Sequence, residues 1–142
     1  MENVPPFPTT WEELVALRSY IDRCPGTYLR HPEDQQFYDL YRNLTPKDIF
    51  LEVIIKQIEP QETKLIKNRF PYTRILQFLP DVAQYTLWNL RGPMSEREIE
   101  QGVKNVFPDK VWMAVESSPE RKSVPEIWHT HVFVKDIPQY SL

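Results

Sequence analysis

Through residue 58 the apolar positions of this chain recur every three or four residues; beyond it they fall into short runs with period two. A period near 3.6 buries one stripe of a helix, and a period of two buries one face of a strand. The first region therefore reads as helices and the second as a sheet. Thr10 opens the first helix. Thr10 and Glu13 have capping-box spacing, and Trp11, Leu14, Val15 and Ile21 form an apolar stripe until Cys24-Pro25-Gly26 stops it. A second helix begins near Pro32, with Glu33 and Asp34 at its positive end, and carries Phe37, Tyr38 and Tyr41. A third starts at Thr45-Pro46-Lys47-Asp48, and its stripe is Ile49, Phe50, Val53, Ile54 and Ile58.

Glu59-Pro60-Gln61-Glu62 breaks that helix. Downstream, strands are predicted over 74–79, 84–90, 110–116 and 127–135. One helix lies among them, opened by a Ser95–Glu98 capping box, with Ile99, Val103, Val106 and Phe107 facing inward until Pro108. Helices first and strands afterwards predict an α+β fold: N-terminal helices, then a mostly antiparallel sheet with one further helix, the helices on one side. A single domain is expected over 1–142, with an extended proline-rich arm at 1–9, a helical part at 10–58 and a sheet part at 68–135.

Composition narrows the function classes. Fourteen prolines against three glycines predict stiff loops and leave no Gly-rich phosphate loop of the P-loop or Rossmann kind. The net charge is −3 with dispersed basic residues, which excludes duplex nucleic acid as a partner. Cys24 is the single cysteine, so no internal disulfide forms, and no histidine near it in sequence makes it a nucleophile. No apolar run approaches the roughly 20 residues of a membrane span, and the N-terminus lacks a secretory pattern. A cytoplasmic protein without membrane attachment, bound cofactor or structural metal is the expectation.

The candidate chemistry lies near the C-terminus. In Ile127-Trp128-His129-Thr130-His131-Val132-Phe133-Val134, alternation puts His129, His131 and Phe133 on one face and Trp128, Thr130, Val132 and Val134 on the other. Imidazole suits proton transfer, ligation and attack on phosphorus near neutral pH. The preceding loop supplies Arg121, Lys122 and Ser123 as phosphate contacts. In Asn68-Arg69-Phe70-Pro71-Tyr72-Thr73-Arg74, Arg69 or Arg74 could clamp a phosphate or carboxylate bidentately, Asn68 offers a further polar contact and Tyr72 a ring to stack on a sugar or base. Trp88 and Trp112, on predicted neighbouring strands, read as core. A metal at the pair would need Glu116 as a third ligand.

Several blocks together resemble the fungal N-acetylglucosamine-induced protein family: Leu29-Arg30 with Gln36 and Tyr38, Asn68-Arg69-Phe70-Pro71-Tyr72, Tyr85-Thr86-Leu87-Trp88, Gly92-Pro93, and Lys122 to Val132. The resemblance implies a role near amino-sugar metabolism and supplies no mechanism. The family carries a His-Trp pair where Gln84-Tyr85 stands, and Asn-Pro-Pro where Ser117-Ser118-Pro119 stands. The strand itself is also similar to that of histidine-triad nucleotide hydrolases and transferases, which implies His131 as nucleophile and His129 as its orienting partner, with Phe133 in the third position.

The expected function is binding or processing of a phosphorylated sugar, nucleotide sugar or nucleotide at His129 and His131. As an enzyme it would be a phosphoryl or nucleotidyl transferase or hydrolase. The alternatives are a non-catalytic module that meets a protein partner through exposed aromatics and the N-terminal arm, with structural histidines, and a metal-dependent enzyme.

Overall fold

The computed structural model describes residues 5–116 and 124–139. Two short helices, α1 (Trp11–Ala16) and α2 (Arg18–Ile21), replace the expected first helix, the break falling at Leu17. Thr10 caps α1, its side chain accepting from the Glu13 amide at 3.1 Å. The carboxylate of Glu13 reaches one residue further back than a capping box requires and accepts from the Thr9 amide and hydroxyl. A four-residue turn, α3 (Gly26–Leu29), follows Pro25, where sequence alone signals only a stop. Next come α4 (Pro32–Leu44) and α5 (Lys47–Ile58), as the apolar spacing predicts. The buried face of α5 is narrower than expected: Ile54 and Ile58 are enclosed, while Ile49 and Val53 stay exposed.

Four strands form one antiparallel sheet: β1 (Thr63–Lys67), β2 (Val82–Asn89), β3 (Trp112–Val115) and β4 (Trp128–Lys135), in the order β1-β2-β4-β3. β1 escapes a reading of periodicity because it is a five-residue edge strand with lysines at two positions, a composition that protects edges from further pairing. The expected strand over 74–79 is instead a series of tight turns, with Leu76 N–H donating to the Tyr72 carbonyl and Leu79 N–H to that of Leu76. Ile75, Leu76 and Leu79 are buried all the same, and a short apolar run looks alike in either conformation. The sheet part therefore begins at Thr63, before Asn68, and gains β1 while losing 74–79.

Sheet register fixes the faces. Opposite His129 and His131 on β4 stand Trp88 and Thr86 on β2, and Gln84 stands opposite Phe133. From the other side β3 places Val115 beside His131 and Met113 beside Phe133. This face carries two apolar clusters. One joins Leu14, Ile21, Tyr28, Tyr72, Met113 and Phe133 under α1–α3. The other joins Ile54, Ile58, Val124 and Ile127 with Ile66 and Trp88 under α5. The histidines lie between them.

Helices cover both faces, not one. The last helix, α6 (Glu96–Lys104), packs Val103 and Ile99 on Leu87, Val132 and Val134 at the opposite face. Its Ser95–Glu98 capping box is complete. Gly102 permits the close approach, since a Cβ there would stand 3.2 Å from a Leu87 methyl. Val106, expected inside, is exposed because the helix has ended before it. Trp112 sits on this second face, and β2 and β3 are separated by β4, so the two tryptophans are not on neighbouring strands. From residue 5 onward the N-terminal arm is docked: Phe7 stacks on Tyr28 with centroids 4.7 Å apart, and the Tyr28 hydroxyl donates to the Pro5 carbonyl. Among the described residues no helix is long and apolar enough to cross a membrane.

Candidate functional site

A cavity of about 130 Å³ opens between the two apolar clusters, and both histidines line it. Its floor is β1, β2 and β4, and its other walls come from Arg30, from α4 and α5, from the Asn68–Phe70 turn and from Val124. The histidine rings are perpendicular, with centroids 6.0 Å apart. Trp88 packs on the second cluster, as its core reading expects, and also lines the cavity, 4.4 Å from the His129 ring at a tilt of 32°.

The hydrogen bonds fix the tautomer of each ring. The Gln84 side-chain oxygen accepts from the Tyr72 amide at 2.6 Å, so its NH2 must face His131 Nδ1, 3.3 Å away. The Asn68 oxygen likewise accepts from the Phe70 amide at 2.8 Å, which turns its NH2 toward the same nitrogen at 3.4 Å. Backbone N–H groups can only donate, so neither amide can be reversed without losing a bond. His131 Nδ1 is therefore an acceptor, and the proton of the neutral ring sits on Nε2. His129 is the converse. Its Nδ1 is 2.9 Å from the Ile127 carbonyl, which only accepts, so Nδ1 carries a proton, and in the neutral ring Nε2 carries the lone pair.

His131 is pushed down to about 3, by burial first and then by His129 and Arg30 nearby. The consequence for stability has a definite sign. As pH falls below about 6.5 the unfolded chain takes up a proton that the folded ring refuses, so stability is lost progressively from 6.5 toward 3. The slope is at most about 1.4 kcal/mol per pH unit, and water reaching the ring from the cavity reduces it. Urea unfolding of the wild type and His131→Asn between pH 4.5 and 7 is expected to give a steeper decline for the wild type. Parallel profiles would count against a His131 that stays neutral.

Arg30 is the main residue that sequence reasoning missed. It is 6% exposed, yet among the described residues no carboxylate lies within salt-bridge distance of it. Its Nε donates to the Phe70 carbonyl at 2.9 Å and one terminal nitrogen to the Gln35 side chain at 3.1 Å. The guanidinium lies 4.3 Å from the Tyr38 ring centroid and 5.0 Å from that of Tyr72. Burial lowers its pKa, opposed by Tyr72, Tyr38, Asp39 and Asp34. Lys67 and Arg69 add positive charge at the cavity, and among the described residues no acidic side chain lines it. The signal that could have found this site was present in the chain: Arg30, Tyr38, Thr86 and Trp88 all stand in the blocks that carry the family resemblance.

The expected site residues divide. His129, His131 and Asn68 come together at the cavity. Tyr72 is buried behind His131, centroids 5.1 Å apart, and packs on Phe133, so it cannot stack on a ligand. Arg74 points elsewhere: it donates to the Thr27 carbonyl at 2.7 Å and covers the Phe7 ring. Arg121, Lys122 and Ser123 lie outside the described residues, and Val124, which follows them, lines the cavity. Phe133, in the third position of the histidine-triad likeness, is fully buried in the neighbouring cluster. The metal reading needs Glu116 beside the pair. Glu116 accepts from Trp128 Nε1 at 3.1 Å, and Trp128 belongs to the opposite face of β4; among the described residues no three potential ligands converge. Cys24 is buried in the first cluster, its thiol directed to the Ile21 carbonyl.

Fold and site together define an α+β protein with a four-stranded antiparallel sheet and a cationic cavity over one face, lined by no carboxylate among the described residues. No protein-family model matches this chain, and no curated protein matches it. A solved structure, the crystal structure of HTC1, is similar at 19% identity with a TM-score of 0.56, covering 88% of this chain and 84% of that one. At that identity the likeness extends to the fold.

Proposed function

We propose that this protein binds a small phosphorylated molecule, with its phosphate at Arg30 and the histidine pair. The observation that carries the reading is Arg30 itself. Among the described residues no carboxylate pairs with it, and a guanidinium taken out of water without such a partner is costly to keep; one facing a cavity lined by further cations suits an anion. Its planar fork matches two phosphate oxygens. Arg69 and Lys67 draw the anion in, and His131 Nε2–H can donate to a third oxygen. In phosphoryl or nucleotidyl chemistry here, the acceptor nitrogen belongs to His129 and the donor to His131. This division reverses the one that strand position alone suggests.

The test is thermal or chemical unfolding with inorganic phosphate and a panel of sugar phosphates, nucleotide sugars and nucleotides. A ligand at a hundredfold excess over its dissociation constant should add about 2.7 kcal/mol of stability. Absence of any stabilisation by phosphate-bearing compounds would remove the proposal.

One feature favours a protein contact as a second reading. Helix α4 encloses none of its side chains and leaves Phe37, Leu40 and Leu44 at 59%, 49% and 79% exposure. Apolar side chains at that spacing form a stripe that a partner could cover. The docked arm residues Phe7 and Pro8 lend this reading no support.

A further inference from the structure

The cavity has two chemically different ends, and the difference bears on what the phosphate is attached to. At one end Asn68 donates to the Thr86 hydroxyl at 3.1 Å and approaches His131, while Arg30 holds the Phe70 carbonyl of the same turn. At the other end α5 brings Phe50, Val53 and Ile54 to Ile66, Trp88 and Val124. Gln57 is the single polar side chain that α5 contributes to the lining. His129 joins the ends, its ring against Trp88 on one side and near His131 on the other.

A hexose phosphate would set several hydroxyls against this apolar wall, where among the described side chains of α5 only Gln57 could replace the water they lose. An aromatic body suits the wall in both polarity and shape. Trp88 and Phe50 present ring surfaces there, and the Tyr41 ring lies 5.7 Å from that of Phe50. Aromatic groups gain from such neighbours beyond the area they bury. Building on the anion site above, we infer that the ligand is a phosphate monoester of a flat aromatic body and not of a sugar. Its phosphate sits at Arg30 and His131 and its ring against Trp88, Phe50 and Ile54.

Calorimetric titration of the full chain with inorganic phosphate, phenyl phosphate, hexyl phosphate and glucose 6-phosphate separates the possibilities. Phenyl phosphate is expected to bind roughly tenfold or more tightly than inorganic phosphate, with hexyl phosphate weaker than phenyl and glucose 6-phosphate no better than the bare anion. Val53→Ser, at a wall position that is 39% exposed and outside the buried core, should shrink the preference for phenyl over inorganic phosphate roughly fivefold. Glucose 6-phosphate binding as tightly as phenyl phosphate would overturn the inference and leave the anion site standing. Hexyl phosphate binding tighter than phenyl would overturn the flat body in favour of an alkyl one. Failure of all four, inorganic phosphate included, would remove the anion site and this inference with it.

Discussion

Replacing Arg30 by methionine is expected to weaken phosphate and phosphate-ester binding about a hundredfold, or about 2.7 kcal/mol. The expectation rests on geometry. A guanidinium carries five N–H donors, and the Phe70 carbonyl and Gln35 oxygen account for two of them. The rings of Tyr38 and Tyr72 hold the group in place, so little rotamer freedom is lost when an anion arrives. Arg30→Lys keeps the charge and loses the fork, so it should recover only part of the affinity. Stability should behave differently from binding. The substitution removes two hydrogen bonds but also a buried charge that, among the described residues, no carboxylate pairs with directly, and the two effects offset one another to within about 2 kcal/mol. Calorimetry and urea unfolding on the same variant check both halves. An Arg30→Met protein that stays folded and binds phosphate like the wild type would refute the site.

The largest loss of stability should follow Phe133→Ala, roughly 3–5 kcal/mol. Phe133 is fully enclosed and belongs to the cluster under α1–α3, with Met113 beside it on β3 and the Tyr72 ring 6.0 Å away. Small domains are stable by only about 5–15 kcal/mol, so the variant would sit close to unfolding. Tyr72 also backs His131, and the cavity would lose its support on that side. A shift of the urea midpoint equivalent to less than about 1 kcal/mol would mean that this cluster collapses onto the gap or contributes little.

Much of the strand and helix pattern could be read directly. α4, α5, α6, β2 and β4 fall where apolar spacing and capping residues put them, because each is long enough for its period to show. The His129–His131–Phe133 face was legible for the same reason. Elements without that length were not. α3 follows a Pro-Gly stop signal, β1 is a short lysine-bearing edge, and Ile75, Leu76 and Leu79 are buried by turns instead of a strand. The site was legible in part. His129, His131 and Asn68 line one cavity, whereas Arg74 and Tyr72, expected at a ligand, serve the packing of the molecule.

The order of amino acids settles which residues share a face of a strand or helix, since that follows from backbone geometry alone. It also settles the absence of a glycine phosphate loop and the presence of two imidazoles on one side of β4. Which groups meet those imidazoles was decided by the folded chain. Arg30 is about a hundred residues from His131 in sequence and acts on its charge only because α1–α3 and the Asn68–Phe70 turn close over the sheet. The tautomers were decided there too. Gln84 and Asn68 are turned by backbone amides of the same turn, and no spacing rule could have revealed which of their atoms faces a histidine.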